Sequence, residues 1–201
     1  MSKKKLFVMM ALVIVIAILG TGTLAYFTTK AVVHNVITTG GVNIELEENF
    51  EGAVPDEDGN MVLDGVMPGE TPTKEVWVVN ENNSADAWIR VGVAITVTDS
   101  QGTDLTDKAT ANSVVTIPTY GTGWVEGEEE NGVRWYYYKE ILAPGEKTTN
   151  LFEKVNLNGP NMGNEYQNAK IHIDIKAQAV QSANNAPQVE NDVTTVQGWP
   201  D

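Results

Sequence analysis

The tightest constraint on this chain is a two-residue period. Between residues 170 and 180, Ile171, Ile173, Ile175, Ala177 and Ala179 alternate with His172, Asp174, Lys176 and Gln178. Side chains two apart on an extended backbone share a face, so the segment predicts a strand with one apolar and one wet side. Residues 88 to 97 repeat the pattern, with Ile89, Val91, Val93, Ile95 and Val97 on one side and Arg90, Gly92, Ala94 and Thr96 on the other. Val42, Ile44 and Leu46 alternate in the same way with Asn43, Glu45 and Glu47. Further strands are predicted at 74–80, 113–118, 133–140 and 148–157, where β-branched and aromatic residues gather. No convincing amphipathic helix follows residue 25, although 99–112 has room for one short helical turn.

Turn chemistry separates these runs. Asp58-Gly59-Asn60, Pro68-Gly69-Glu70, Asn82-Asn83-Ser84, Glu130-Asn131-Gly132 and Pro144-Gly145-Glu146 supply residues that tolerate or pre-set tight bends. Short strands punctuated in this way predict an all-β domain, an antiparallel β-sandwich or jelly roll, over residues 42–180. Each of the two Pro-Gly-Glu turns feeds a strand, which fits a weak internal repeat and ordinary sandwich architecture equally. Residues 181–201 read as a polar tail without an apolar block to anchor it.

The N-terminus carries a different signal. Lys3, Lys4 and Lys5 precede an apolar run from Leu6 to Leu19, which gives way to Gly20-Thr21-Gly22-Thr23-Leu24-Ala25. A basic start, a short apolar stretch and small residues before a cut are the parts of a secretory signal. Thr23 and Ala25 fill the small-residue positions, so residues 1–25 are expected to be removed and Tyr26 to become the first mature residue. Removal takes three of the 13 basic residues and leaves ten against 27 acidic ones, a net charge of −17. Such a surface repels nucleic acid and anionic lipid, so neither is an expected partner, and membrane contact is expected only during export. The chain has no cysteine, and an exported domain without disulfides must hold itself together by a packed core.

Catalytic constellations are scarce. There is no thiol nucleophile, and His34 and His172 are the only histidines. They do not form the His-Glu-x-x-His pattern that places two zinc ligands and a base on one helix face. His172 and Asp174 project together from one strand, as any exposed alternate pair does. The loop Asp56-Glu57-Asp58-Gly59-Asn60 offers carboxylates to a hard cation, but its glycine is out of place for an EF-hand. Glu126 and Glu128–Glu130 read as the solvated ends of a hairpin. Trp77, Trp88, Trp124, Trp135 and Tyr136–Tyr138 suit either core packing or a sugar-stacking face. No catalytic residue, metal ligand or cofactor is assigned, and the balance favours an assembly protein over an enzyme.

The strings Gly20-Thr21-Gly22-Thr23-Leu24-Ala25-Tyr26-Phe27-Thr28 and residues 32–44 (Val-Val-His-Asn-Val-Ile-Thr-Thr-Gly-Gly-Val-Asn-Ile) resemble the start of the TasA and camelysin family of Gram-positive exported proteins. Pro68-Gly69-Glu70, residues 76–80 and Ala87-Trp88-Ile89-Arg90-Val91 are similar to later elements of that family, so the likeness covers most of residues 18–97. It implies a jelly-roll domain cut by a signal peptidase of the SipW type and deposited outside the cell or at its surface as biofilm matrix fibres. The partners it implies are other copies of the chain and an accessory fibre subunit. Camelysin relatives are described as metallo-endopeptidases, which supplies the enzymatic alternative.

The arm at residues 26–41 carries Phe27, Val32, Val33, Val36 and Ile37 at a free end, before Gly40-Gly41. An apolar, β-prone segment needs a partner. Either it folds back as the first strand of its own sheet, or it adds to the edge of the next subunit as a donor strand.

Overall fold

The computed structural model describes residues 35–39, 41–55, 61–62 and 68–200. In chain order its strands are β1 (Asn35–Thr39), β2 (Ile44–Phe50), β3 (Val54–Pro55), β4 (Met61–Val62), β5 (Lys74–Asn80), β6 (Ala87–Thr98), β7 (Val115–Thr116), β8 (Trp124–Glu130), β9 (Val133–Tyr138), β10 (Asn156–Leu157) and β11 (Lys170–Gln181). A short helix, α1 (Thr106–Ala111), falls inside the stretch with room for one. Residues 54–62 belong to a separate compact unit, of which the pairing of β3 with β4 is described. Everything below concerns the other unit.

The fold is all-β, and among the described residues the sheets are antiparallel apart from one pair. The two strands with the clearest alternation, β6 and β11, pair along their full lengths, from Lys170 opposite Thr98 to Gln181 opposite Ala87. They form the middle of a five-stranded sheet in the order β1-β11-β6-β9-β8. The hairpin joining β8 to β9 turns at Asn131 (φ 53°) and Gly132 (φ 78°). Two successive positive φ values match the right-handed twist of the flanking strands.

A smaller sheet pairs β2 with β5, Ile44 opposite Asn80 through Phe50 opposite Lys74. Residues 145–154 run along the far side of β5 without regular pairing. Thr148 bonds Val78 through both its backbone N–H (2.9 Å) and, as acceptor, its Oγ1 (3.0 Å). Further on, Leu151 N–H reaches the Val76 carbonyl (2.7 Å) and Val76 N–H the Phe152 carbonyl (3.3 Å). The strand predicted over 148–157 is therefore confined to β10. Leu151 and Phe152 are adjacent and both buried, and a regular strand with one wet face cannot turn two neighbours inward.

One apolar cluster joins both sheets: Val42, Ile44 and Leu46 from around β2, Val76 and Val78 from β5, Ile89, Val91 and Val93 from β6, and Ala177 and Ala179 from β11. Fully burying each Val or Ile contributes about 1.5–3 kcal/mol. Tyr120 stacks on Tyr136 beside Phe152, with ring centroids 4.2 Å apart in the tyrosine pair. Burial pushes both phenols above the ordinary tyrosine range.

The C-terminal segment is better anchored than its polar composition suggests. It returns across the outer face of the large sheet, where Val193, Val196 and Trp199 pack on Trp88, Trp135, Tyr137 and Val180 in a second, separate cluster. The face that alternation marks as wet is thus covered at this end, and Gln178, an expected solvent residue, is buried. The anchor is a set of three apolar residues at a spacing of three, not a block.

Candidate functional site

Val36 and Ile37 lie in β1, opposite Ala177 and Gln178 of β11, and the pairing is parallel. Of the two arrangements open to the N-terminal arm, residues 35–39 thus adopt the one within their own sheet. Thr23, Ala25, Tyr26, Phe27, Val32, Val33 and His34, together with the 56–60 loop, fall outside the described residues.

β1 covers β11 only from Lys176 to Val180. Among the described residues no strand pairs with the same edge of β11 from Lys170 to Ile175. Ile171, Ile173 and Ile175 stand there half-buried against the main core. An edge with apolar side chains at alternate positions, open among the described residues, is the form that a strand-adding partner recognises.

The chain is clamped immediately after the Gly40-Gly41 pair. The Gly41 carbonyl accepts from Ala85 N–H (3.1 Å), the Asn43 carbonyl accepts from Glu81 N–H (2.9 Å), and Asn43 N–H donates to Ser84 Oγ (2.8 Å). That 81–85 turn is fixed in its turn by the buried Asn80, whose Nδ2 donates to the carbonyls of Ala85 (3.0 Å) and Leu142 (2.8 Å). A residue at the end of β5 therefore sets where β1 departs from β2. Nothing in the sequence distinguishes Asn80 from other turn asparagines.

The opposite edge of the sheet is built differently. β8 carries the exposed Glu128, Glu129 and Glu130, and its register against β9 shifts between Glu126 and Glu129. Arg134 spans the irregularity, bonding Glu129 at 2.8 Å and reaching Glu126 at 3.5 Å. Charge and a bulge both discourage a further strand. The glutamates expected at the solvated end of a hairpin are there, exposed on β8 next to the Asn131-Gly132 turn, and they form part of the edge strand itself.

The other candidates are placed as follows. Trp88, Trp124, Trp135 and Tyr136–Tyr138 are all buried, so they present no platform for a sugar, while Trp77 is half-buried with Lys147 Nζ 5.4 Å from its ring centroid. Among the described residues no three His, Cys, Asp or Glu side chains converge as a metal site. His172 faces Thr96 across the β11–β6 pair. Sequence reasoning missed the cluster around Arg90, a lone cation in an otherwise apolar strand, and that isolation was the available signal. Neither a protein-family model nor a curated protein nor a solved structure matches this chain.

Proposed function

We propose that this chain is a secreted structural subunit of extracellular matrix fibres that assembles through its N-terminal strand, as its resemblance to the TasA and camelysin family implies. Its two sheets enclose their shared core as a jelly-roll sandwich, and a SipW-type peptidase removes residues 1–25 during export. The observation that carries the reading is the edge of β11. Its occupant is a short N-terminal strand held in parallel by backbone pairing, and beyond it, among the described residues, no strand pairs with the edge that carries Ile171, Ile173 and Ile175. In assembly a neighbour's arm takes this edge. The contact is head-to-tail, so it propagates as a filament instead of closing as a dimer, while the acidic, bulged β8 edge limits lateral sheet growth.

The test is electron microscopy of mature protein with and without residues 26–37, with the corresponding peptide added to the truncated form. Filaments from the longer protein, and a soluble truncated domain that binds the peptide, are expected. Filaments from the truncated domain would refute the reading, as would a truncated domain that unfolds and is not restored by the peptide.

A further inference from the structure

The outer face of the large sheet recognises the C-terminal segment through side chains, without strand pairing to β6, β9 or β11. The Arg90 guanidinium lies 4.0 Å from the Trp135 ring centroid and 4.8 Å from that of Trp199, so the cation is held between two indoles. Arg90 Nε donates to Gln178 Oε1 (2.7 Å), and Gln178 Nε2 donates to the Pro200 carbonyl (3.0 Å). Trp199 also meets Tyr137 edge-on, with centroids 5.7 Å apart. At the other end of the strap, Trp88 Nε1 donates to the Asn185 carbonyl (2.7 Å). The face holds the segment by an aromatic anchor, Trp199, two apolar residues, Val193 and Val196, and the Pro200 carbonyl.

Two further features make the segment exchangeable. Its apolar cluster is separate from the main core, so lifting it leaves that core closed. Its return path depends on one tight reversal at 182–185, where Ser182 N–H bonds the Asp86 carbonyl, Asn185 N–H bonds the Ser182 carbonyl, and Asn184 sits at φ 59°. Opening that turn redirects the strap away from its own sheet without altering any strand.

We propose that this face docks the C-terminal segment of a second copy of the chain, in exchange for its own. The face is complementary to one known sequence, residues 185–200, and every copy carries it. Exchange of an identical element costs little in contact energy, since the same contacts form in either arrangement. A tethered strap competes at an effective concentration of ~1 mM, so exchange is negligible in dilute solution and becomes comparable to self-docking when copies are crowded to that level.

The test uses two variants of residues 26–201. Trp199→Ala keeps the face and weakens the strap; Arg90→Ala keeps the strap and weakens the face. Each alone lacks one half of the contact, whereas an equimolar mixture restores one complete contact per pair. Sedimentation at ~1 mM is expected to show 1:1 heterodimers in the mixture beyond any association seen in either variant alone. Association through the N-terminal strand would be equal in all three samples, so it is subtracted by the comparison. A mixture that sediments as its separate components overturns the proposal. Should circular dichroism show that either variant has lost its β structure, the wild-type chain is titrated with a peptide of residues 185–201. Saturable binding near ~1 mM, weakened at least ~10-fold by Trp199→Ala in the peptide, supports the proposal, and absence of binding overturns it.

Discussion

Replacing Asn80 by Asp should turn a stabilising hub into a buried charge whose cost depends on pH. The Asn80 side chain is fully buried, and its Nδ2 donates to two carbonyls, those of Ala85 and Leu142. Asn80→Ala removes two hydrogen bonds at about 1 kcal/mol each and leaves a small void. The loss is tempered because both carbonyls keep a second donor, Ser84 Oγ for Ala85 and Ala87 N–H for Leu142. About 2–3 kcal/mol is expected for the alanine variant. An aspartate at the same place faces two acceptors with no cation beside it, so its protonated form is favoured in the folded state and its pKa rises. The folded variant then holds a proton that the unfolded chain releases above about pH 3.9. Its stability therefore falls as pH rises from that value, at about 1.4 kcal/mol per pH unit, until the raised folded pKa is passed. A rise of about three units makes Asn80→Asp about 3 kcal/mol less stable at pH 7 than at pH 4, relative to Asn80→Ala. Urea denaturation of both variants at the two pH values measures this directly. A gap between them that is the same at pH 4 and pH 7 would show that water reaches the site and that Asn80 does not seal the 81–85 turn.

Gly121→Ala should destabilise by about 2–4 kcal/mol, since a Cβ there would stand 2.1 Å from the Asn150 carbonyl oxygen and 3.2 Å from Trp124; a thermal midpoint within a degree of wild type would contradict this. Lys74, almost fully buried, is paired with Glu48 and lies 4.6 Å from the Phe50 ring centroid. Lys74→Ala should therefore cost more than the double replacement Lys74→Met with Glu48→Gln, which a denaturation series can rank. The backbone N–H groups of Thr103 and Gln101 hold the Asp99 carboxyl below the usual carboxylate range. Its contribution is present above the unfolded value and fades as pH falls through the lowered one, so Asp99→Ala should flatten the acid end of the stability curve.

The strands that face a core on one side and water on the other are the ones their sequences announce. β5 occupies the expected 74–80, and β6 and β11 match their alternating runs to within one residue. Alternation does not encode the direction of a neighbour, so nothing in residues 35–39 reveals that β1 runs parallel to β11. β8 was hidden because Glu128, Glu129 and Glu130 look like loop residues, and an edge strand has less need of apolar content on its outer side. Residues 148–157 misled because Leu151 and Phe152 fill one gap between β5 and the rest of the core. The burial of Gln178 depends on Pro200, 22 positions away in sequence, and no local pattern carries that information. The edge that forms the candidate site was legible as apolar residues in search of a partner, while the clamp by Asn80 and the 81–85 turn arises only from tertiary contacts.

Because the chain has no cysteine, the origin of the strand on β11 can be read by cross-linking. Asn35→Cys and Lys176→Cys, combined in one chain, place thiols at directly opposed positions of β1 and β11, at a residue of β11 that is not fully buried. A short bis-thiol reagent applied to dilute and to assembled protein, followed by denaturing electrophoresis, reports whether the two strands belong to one molecule or to two. Assembly through the N-terminal strand predicts cross-linked monomers in dilute solution and a ladder of covalent multimers in the assembled sample. Cross-linked monomers alone in both samples would contradict it.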